Sequence, residues 1–423
     1  MRVLHLLHRS VPGTHGYAIR SREIVTKQLE KGLEPLVVTS PSQAPLGELD
    51  AEQSEYIDGV RYFRTSGNIL SPTLEVQDKS SAKAALRVLQ NFRLLKAALR
   101  VARKYRPAVI HGHSPFTCGL VANTVGKWVN IPSVYEMRGI WEDSHSGRGK
   151  FREQSVRYRV VRALDDRALK GASLCCAIGG SLKAEIVSRG ISSERVFIVP
   201  NGVDVKTFSP GPPDENMQEK LGLRGKVVFG YIGYFFNYEG LDLLIETMTR
   251  LARQLPDLAL LLVGDGELMP SLRKMVADAG ISDKVVFTGR VPHSEVTEFY
   301  KICDFMVLPR RDTRETRLVT PLKPLEIMAM AKPLIASDVG GHLEMVQDGV
   351  NGLVFKSENV SDLASKCAML AGDRDLRTDL GTRARKWVEA NRDWRVLVER
   401  YIAIYEKLTR RPGSALAGNE GSY

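Results

Sequence analysis

The sequence predicts an α/β protein made of two doubly wound parallel-sheet units that face each other across a cleft. Three observations carry this expectation. A length of 423 residues exceeds one ordinary core. Short β-branched or apolar runs alternate with amphipathic stretches in both halves of the chain. A Pro/Gly-rich shift just after Asn201-Gly202-Val203-Asp204 separates the two series.

In the first unit, assigned to residues 1–204, residues 2–7 read as a strand and Val11 to Gly16 as a Pro/Gly loop. A helix is predicted over about 17–31, where Ile19, Ile24, Val25 and Leu29 fall near helical spacing. Residues 36–39 form the next strand, and such β-loop-α-β order predicts parallel pairing through crossover helices. Residues 40–78 are polar and turn-rich and read as an insertion. Strands resume at 108–111, 133–136, 173–178 and 196–199. The second unit, 205–392, alternates strands at 227–232, 259–263, 285–288, 305–308 and 333–337 with helices at 241–254, 268–279, 293–302 and 324–331. A last amphipathic helix, 393–408, is expected to pack back on the first unit, and the Gly/Ser/Ala-rich tail 409–423 to be disordered. Ligands of paired doubly wound sheets bind in the cleft between them.

Composition narrows the setting. The apolar fraction of 43% and charged fraction of 26% are those of a globular protein. Cys118, Cys175, Cys176, Cys303 and Cys367 are scattered without metal-ligand spacing, so neither a zinc site nor a disulfide framework is expected and a reducing compartment fits. The chain begins directly in a strand-like segment, and no apolar run reaches membrane-spanning length. A cytoplasmic location follows, at most on the inner face of the plasma membrane. Up to residue 199 there are 30 Lys/Arg against 18 Asp/Glu, and beyond it 30 against 31, so the excess positive charge lies wholly on the first half. Two basic amphipathic stretches concentrate it. Residues 79–106 carry Lys83, Arg87, Arg93, Lys96, Arg100 and Arg103 among Leu and Phe, and 148–170 carry Arg152, Arg157, Arg159, Arg162 and Arg167. Such stripes suit an anionic membrane surface or are simply the solvated backs of core helices. They lack the aromatic interleaving of nucleic-acid binders.

The most specific stretch is Val319-Thr320-Pro321-Leu322-Lys323-Pro324-Leu325-Glu326-Ile327-Met328-Ala329. A loop enters a helix at about Pro324, where free first-turn amides and the helix dipole favour a phosphate. Glu326 in the first turn can accept hydrogen bonds from a vicinal diol such as ribose, or can simply cap the helix.

Here the run "TPLKPLEIMAMAKPLIASDVGGHLEMVQDGVNGLVF" resembles the donor-site signature of glycosyltransferase family four. So do "VPNGVDVKTFSP", "LLLVGDGEL" and "VVFTGRVPHSEVTEFYKICDFMVLP", while the N-terminal loop and "VIHGHSPFTCGLVA" resemble its first domain. The resemblance covers about residues 1–408. It implies a GT-B fold of two Rossmann-like domains, a nucleotide-sugar donor (UDP- or GDP-linked), no bound metal or other cofactor, and transfer with retention. By the same resemblance Glu326 would hold the ribose hydroxyls, and Thr320, Leu322 and Lys323 would meet sugar or diphosphate. Arg290 and Val291 would flank the base, and Gly16 and Gly233 would let backbone approach the diphosphate. His113 would lie near the reacting sugar, with His111 structural.

The sequence departs from the family pattern in two places. Eight positions before Glu326, where the family commonly has a carboxylate, stands Leu318. The Arg and Lys that commonly clamp the diphosphate are replaced by Tyr234 and Glu239. Arg310, Arg311 and Arg314, with Lys323, are the candidate replacements. The arginine-bearing loop and "YEMRGIWED" resemble a branch associated with exopolysaccharide assembly. Glu136 and Arg138 fall just after a strand, where they face acceptor or donor or else form an internal ion pair, and His15 is a further acceptor or cleft residue. The acceptor would be a glycan or a polyprenyl-diphosphate-linked saccharide. Two alternatives stand beside the transferase: a catalytically weak scaffold of a glycan-assembly complex, which the departures favour, and a nucleotide-sugar epimerase.

Overall fold

The computed structural model describes residues 1–13, 16–41, 43, 45, 47–65, 80–146 and 155–410. His15, Lys79, Arg148, Arg152 and the tail from residue 411 lie outside the described residues. Eight strands form the first sheet: β1 (Arg2–Leu7), β2 (Glu34–Thr39), β3 (Ser54–Ile57), β4 (Val60–Arg64), β5 (Val109–His113), β6 (Ser133–Met137), β7 (Leu174–Ala177) and β8 (Val196–Ile198), in the order β3-β4-β2-β1-β5-β6-β7-β8. Six form the second: β9 (Val227–Ile232), β10 (Leu258–Val263), β11 (Val285–Gly289), β12 (Phe305–Leu308), β13 (Leu334–Ser337) and β14 (Leu353–Phe355), in the order β11-β10-β9-β12-β13-β14.

Among the described residues every strand pairing is parallel except β3 with β4. Helices cover both faces of such sheets, so a central strand such as β10, Leu-Ala-Leu-Leu-Leu-Val, is buried at every position. The insertion expected over 40–78 is in part an edge hairpin. Asp58 and Gly59 both take positive φ (51° and 77°), as a tight two-residue turn demands, and β4 then runs parallel to β2.

The last helix, Trp394–Thr409, leaves the second domain and returns to the first. Trp394, Leu397, Tyr401, Ile404 and Tyr405 share a core with Val3, Ile24, Val109 and Val134. The two domains also meet directly. Glu344 accepts from the backbone N–H of Gly180 and Ser181, each at 2.8 Å, at the start of helix Gly180–Ser188. Asn201 donates to the carbonyl of Thr320 at 2.7 Å.

Candidate active site

The second domain contributes the loops leaving β9 and β12 and the helix Lys323–Ala329. Because β9 and β12 are neighbours, residues far apart in sequence arrive together at the strand ends. Glu239 is the hub. Its Oε1 accepts from Arg310 Nη2 at 3.0 Å and from Lys323 Nζ at 2.8 Å, and its Oε2 from Arg310 Nε at 3.3 Å. Lys323 Nζ also lies 2.6 Å from the Tyr231 hydroxyl. Burial opposes ionisation of Glu239, but Arg310 and Lys323 outweigh it and hold the carboxyl at about 2. Burial likewise pulls the Lys323 ammonium below its ordinary value. Two cations share one carboxylate here, and the excess positive charge on a largely covered floor is the complement of a phosphate.

One turn along the helix, half-buried Glu326 accepts from the Tyr300 hydroxyl at 2.9 Å, and burial raises its pKa above the usual carboxylate value. Just past β11, Arg290 is exposed and Val291 half-buried. Thr320 is buried against Asn201 and the Ile178 carbonyl. Gly233 and Gly16, where close approach of a diphosphate is expected, lie against Lys323 and Leu322 on the side a Cβ would take. A Cβ at Gly233 (φ 152°) would stand 2.4 Å from Lys323 Cε, and one at Gly16 would stand 3.2 Å from Leu322 Cδ1.

Of the arginines expected to replace the missing clamp, only Arg310 joins Lys323 at Glu239. Arg311 pairs with Asp242 and with Glu358. Arg314 reaches the first domain, where it pairs with Asp143 and, at 2.6 Å, with Glu185. Residues 314–318 are a short helix with Thr313 capping it, which aims Arg314 away from Glu239 and across the interface.

The first domain supplies a buried polar network at the ends of β5 and β6, where His113 pairs in register with Glu136. Glu136 and Arg138, read from the sequence as facing the cleft, turn inward and are 0% and 4% exposed. Glu136 takes Arg20 at 2.5 Å and the Tyr401 hydroxyl at 2.7 Å on Oε1, and Arg138 at 2.9 Å on Oε2. Burial pushes this carboxyl up, yet Arg138 and Arg20 more than offset it and keep it well below the usual range. His113 is 1% exposed. The Gln28 amide donates to Tyr405, so its oxygen takes the His5 Nε2 proton at 2.9 Å; His5 Nδ1 then accepts from His113 Nε2 at 2.9 Å. His113 Nδ1 faces Arg138 Nη2 at 2.5 Å and is crowded by Glu136 Oε2 at 2.6 Å. Both its nitrogens are therefore engaged inside the domain, and burial lowers its pKa well below the ordinary value. His111 stacks on His113 with centroids 3.9 Å apart and lies 2.7 Å from the Tyr405 hydroxyl.

The ring nitrogens of His5, His111 and His113 come within 4.8 Å of one another, all buried. This set is a poor cation site. His5 and His113 are hydrogen-bonded to each other, and Arg138 already places positive charge on His113. Sequence reasoning missed Glu239 as a hub, together with Arg20, His5, Gln28 and Tyr401. The acidic residue at 239 was visible only as a departure, and the others have no local signal at all.

Comparison with known proteins agrees with this architecture. A family model described as a glycosyl transferase 4-like domain matches residues 15–202, and one described as glycosyl transferases group 1 matches residues 213–387. Over 201 residues the chain is 31% identical to a GDP-mannose-dependent alpha-(1-6)-phosphatidylinositol monomannoside mannosyltransferase of Mycolicibacterium smegmatis, covering 47% of this chain and 52% of that protein. It is 27% identical over 308 residues to an uncharacterized glycosyltransferase of Methanocaldococcus jannaschii, covering 71% and 76%. The alignment thus spans about half the length of the mycobacterial relative. Among solved structures, Anabaena HepE in complex with UDP superposes with a TM-score of 0.72 at 17% identity, covering 96% of this chain and 100% of that one. A sucrose-phosphate synthase of Thermosynechococcus elongatus gives 0.73 at 20% identity, covering 96% and 99%. The two matched regions take up most of the sequence, and the chain belongs to the family-four-like glycosyltransferases of the GT-B fold.

Proposed function

We propose that this protein transfers a glycosyl residue from a nucleoside-diphosphate sugar to a saccharide, and that the second domain binds the donor. The observation that carries the reading is the Arg310–Glu239–Lys323 cluster one helical turn from Glu326. Glu326 would bind the ribose hydroxyls, with Tyr300 fixing its orientation and Arg290 and Val291 beside the base. Arg310 and Lys323 would stabilise the negative charge that grows on the diphosphate as it leaves. In this reading Glu239 does not repel the diphosphate, because both cations already outweigh it. Among the described residues no side chain stands out as a nucleophile, and we assign same-face transfer with retention on the family resemblance. His113 supports the first-domain edge of the cleft through Arg138 and Glu136.

The acceptor we propose is a lipid-linked saccharide of polysaccharide assembly, met at the cytoplasmic face of a membrane. One face of the first domain supports this. Helix Phe116–Val129 packs between helices Ser80–Tyr105 and Val156–Gly171. Together they expose Leu89, Phe92, Trp128, Val156 and Val160 beside exposed Lys96, Arg100, Arg103, Arg157 and Arg159. Apolar side chains within a basic field suit an anionic bilayer surface. Among the described residues no helix is long and apolar enough to cross a membrane.

The test is release of nucleoside diphosphate from UDP-, GDP- and ADP-sugars, with and without membrane lipid extract. One donor should be turned over, Glu326→Ala should abolish that turnover, and lipid should raise it. Failure to bind or cleave any donor would leave the scaffold reading in its place.

A further inference from the structure

The loop that leaves β9 runs into a single 3-10 turn, Asn237–Glu239. Phe235 and Glu239 are buried, Phe236 and Tyr238 are half-buried, and Tyr234 is exposed. Their rings form a column. Tyr234 and Phe236 centroids are 4.3 Å apart at 43°, and Phe236 and Tyr238 are 5.2 Å apart at 15°. The Arg310 guanidinium lies over Tyr238, 5.7 Å from its centroid. The column therefore begins at the cation cluster and ends at Tyr234, which is 50% exposed. A single exposed aromatic needs no explanation, but three adjoining rings that end on a largely covered ion pair do.

We propose that Tyr234, backed by Phe236 and Tyr238, is a stacking subsite for a pyranose ring. The axial C–H face of a sugar carries partial positive charge and meets the negative face of an aromatic ring. Neighbouring rings already restrict the Tyr234 side chain, so little rotamer freedom is lost when a ligand settles on it. Position agrees with chemistry. Contacts run from Tyr300 to Glu326, one helical turn to Lys323, and from Lys323 to Gly233, the residue before Tyr234. A nucleoside-diphosphate sugar presents ribose, diphosphate and sugar in that order. The proposal rests on the donor-binding reading above for that sequence of contacts. The sugar on Tyr234 belongs either to the donor or to the acceptor, and the two share the same apolar ring face.

The experiment compares wild type, Tyr234→Ala and Tyr234→Phe, each checked by melting temperature. Calorimetry measures UDP against UDP-glucose and GDP against GDP-mannose. Saturation-transfer NMR measures methyl glycopyranosides of glucose, mannose and galactose with UDP or GDP present. The expected result is a five- to tenfold loss of sugar-dependent binding in Tyr234→Ala, none in Tyr234→Phe, and unchanged affinity for the bare diphosphates. Loss confined to the nucleotide sugars assigns the ring to the donor; loss confined to the free glycosides assigns it to the acceptor. Equal binding of every sugar probe by wild type and Tyr234→Ala overturns the subsite, as does an equal loss of UDP or GDP themselves. If wild type binds glycosides in a Tyr234-dependent way but no nucleotide, the subsite stands and the transferase reading falls. Binding of no probe at all overturns both.

Discussion

Glu239 carries the largest consequence of any single side chain in the cleft. Glu239→Gln leaves half-buried Arg310 and Lys323 without their buried anion, a loss on the order of 3 kcal/mol in stability. The folded-state pKa of about 2 lies below that of an unfolded glutamate, so the stabilisation is present above about pH 4.5 and fades as the pH falls toward 2. Chemical denaturation of wild type and Glu239→Gln should therefore differ most near pH 7 and converge only toward pH 2; a gap that stays constant with pH would refute the assignment. Glu23 shows the opposite sign. Burial, and then Asp204, raise its carboxyl to about 7. Its protonated form is favoured in the folded state, so it costs stability as the pH rises from about 4.5 through 7. Glu23→Gln should be more stable than wild type at pH 8 by about 1–2 kcal/mol and indistinguishable at about pH 4. At this scale the sequence revealed residue types but not partners. Glu326 and Lys323 could be picked out because they stand in one local motif. Glu239 meets Arg310 and Lys323 across 71 and 84 residues, and no local pattern reports such a pairing.

Among elements, the short helix Arg314–Leu318 depends on two glycines that follow β13. A Cβ on Gly340 would stand 2.4 Å from the Arg317 carbonyl, and one on Gly341 2.4 Å from that of Val319 and 2.7 Å from that of Thr316. Neither neighbour is a flexible side-chain end, so Gly341→Ala must displace the segment that carries Thr320 to Lys323. A loss of about 1–3 kcal/mol in stability and a severalfold rise in donor KM are expected, and a variant with wild-type melting temperature and KM would contradict this packing. The long alternating elements were legible because parallel strands are continuous apolar runs and their helices are amphipathic. The β3–β4 hairpin was not, because its strands lie at a sheet edge and its neighbours are polar. Its Asp58-Gly59 turn was nonetheless written in the sequence. The Arg314–Leu318 helix was hidden by its brevity and its charge.

Across the whole molecule, polar contacts between the domains bear on the opening of the cleft, beside the packing of Leu318 and Val319 on the first-domain core. Arg314 joins Asp143 and Glu185, Glu344 caps helix Gly180–Ser188 from the other domain, and Asn201 holds Thr320. Arg314→Ala combined with Glu344→Gln should loosen the domains with little effect on either core. Small-angle scattering should show a larger radius of gyration, and hydrogen exchange at the Gly180 and Ser181 amides should quicken. Unchanged scattering and protection would mean that other contacts hold the domains. The two-domain plan was legible in the sequence because each half repeats the same alternation. The way the halves touch was not, since it rests on single residues brought together only by folding.

The last helix has a further consequence, on the ribosome. Trp394, Leu397, Tyr401 and Tyr405 complete the core of the first domain, and Tyr401 and Arg20 share the Glu136 carboxylate. The first sheet is complete once residue 198 has been synthesised, yet its seal is not made until about 200 residues later. At roughly 5–20 residues per second, the nascent first domain waits on the order of ten to forty seconds with an apolar groove and a buried-type ion pair uncovered. Its neighbour is meanwhile being translated and can fold first, which reverses the usual N-to-C order of domain maturation and makes the unfinished first domain a natural client of chaperones.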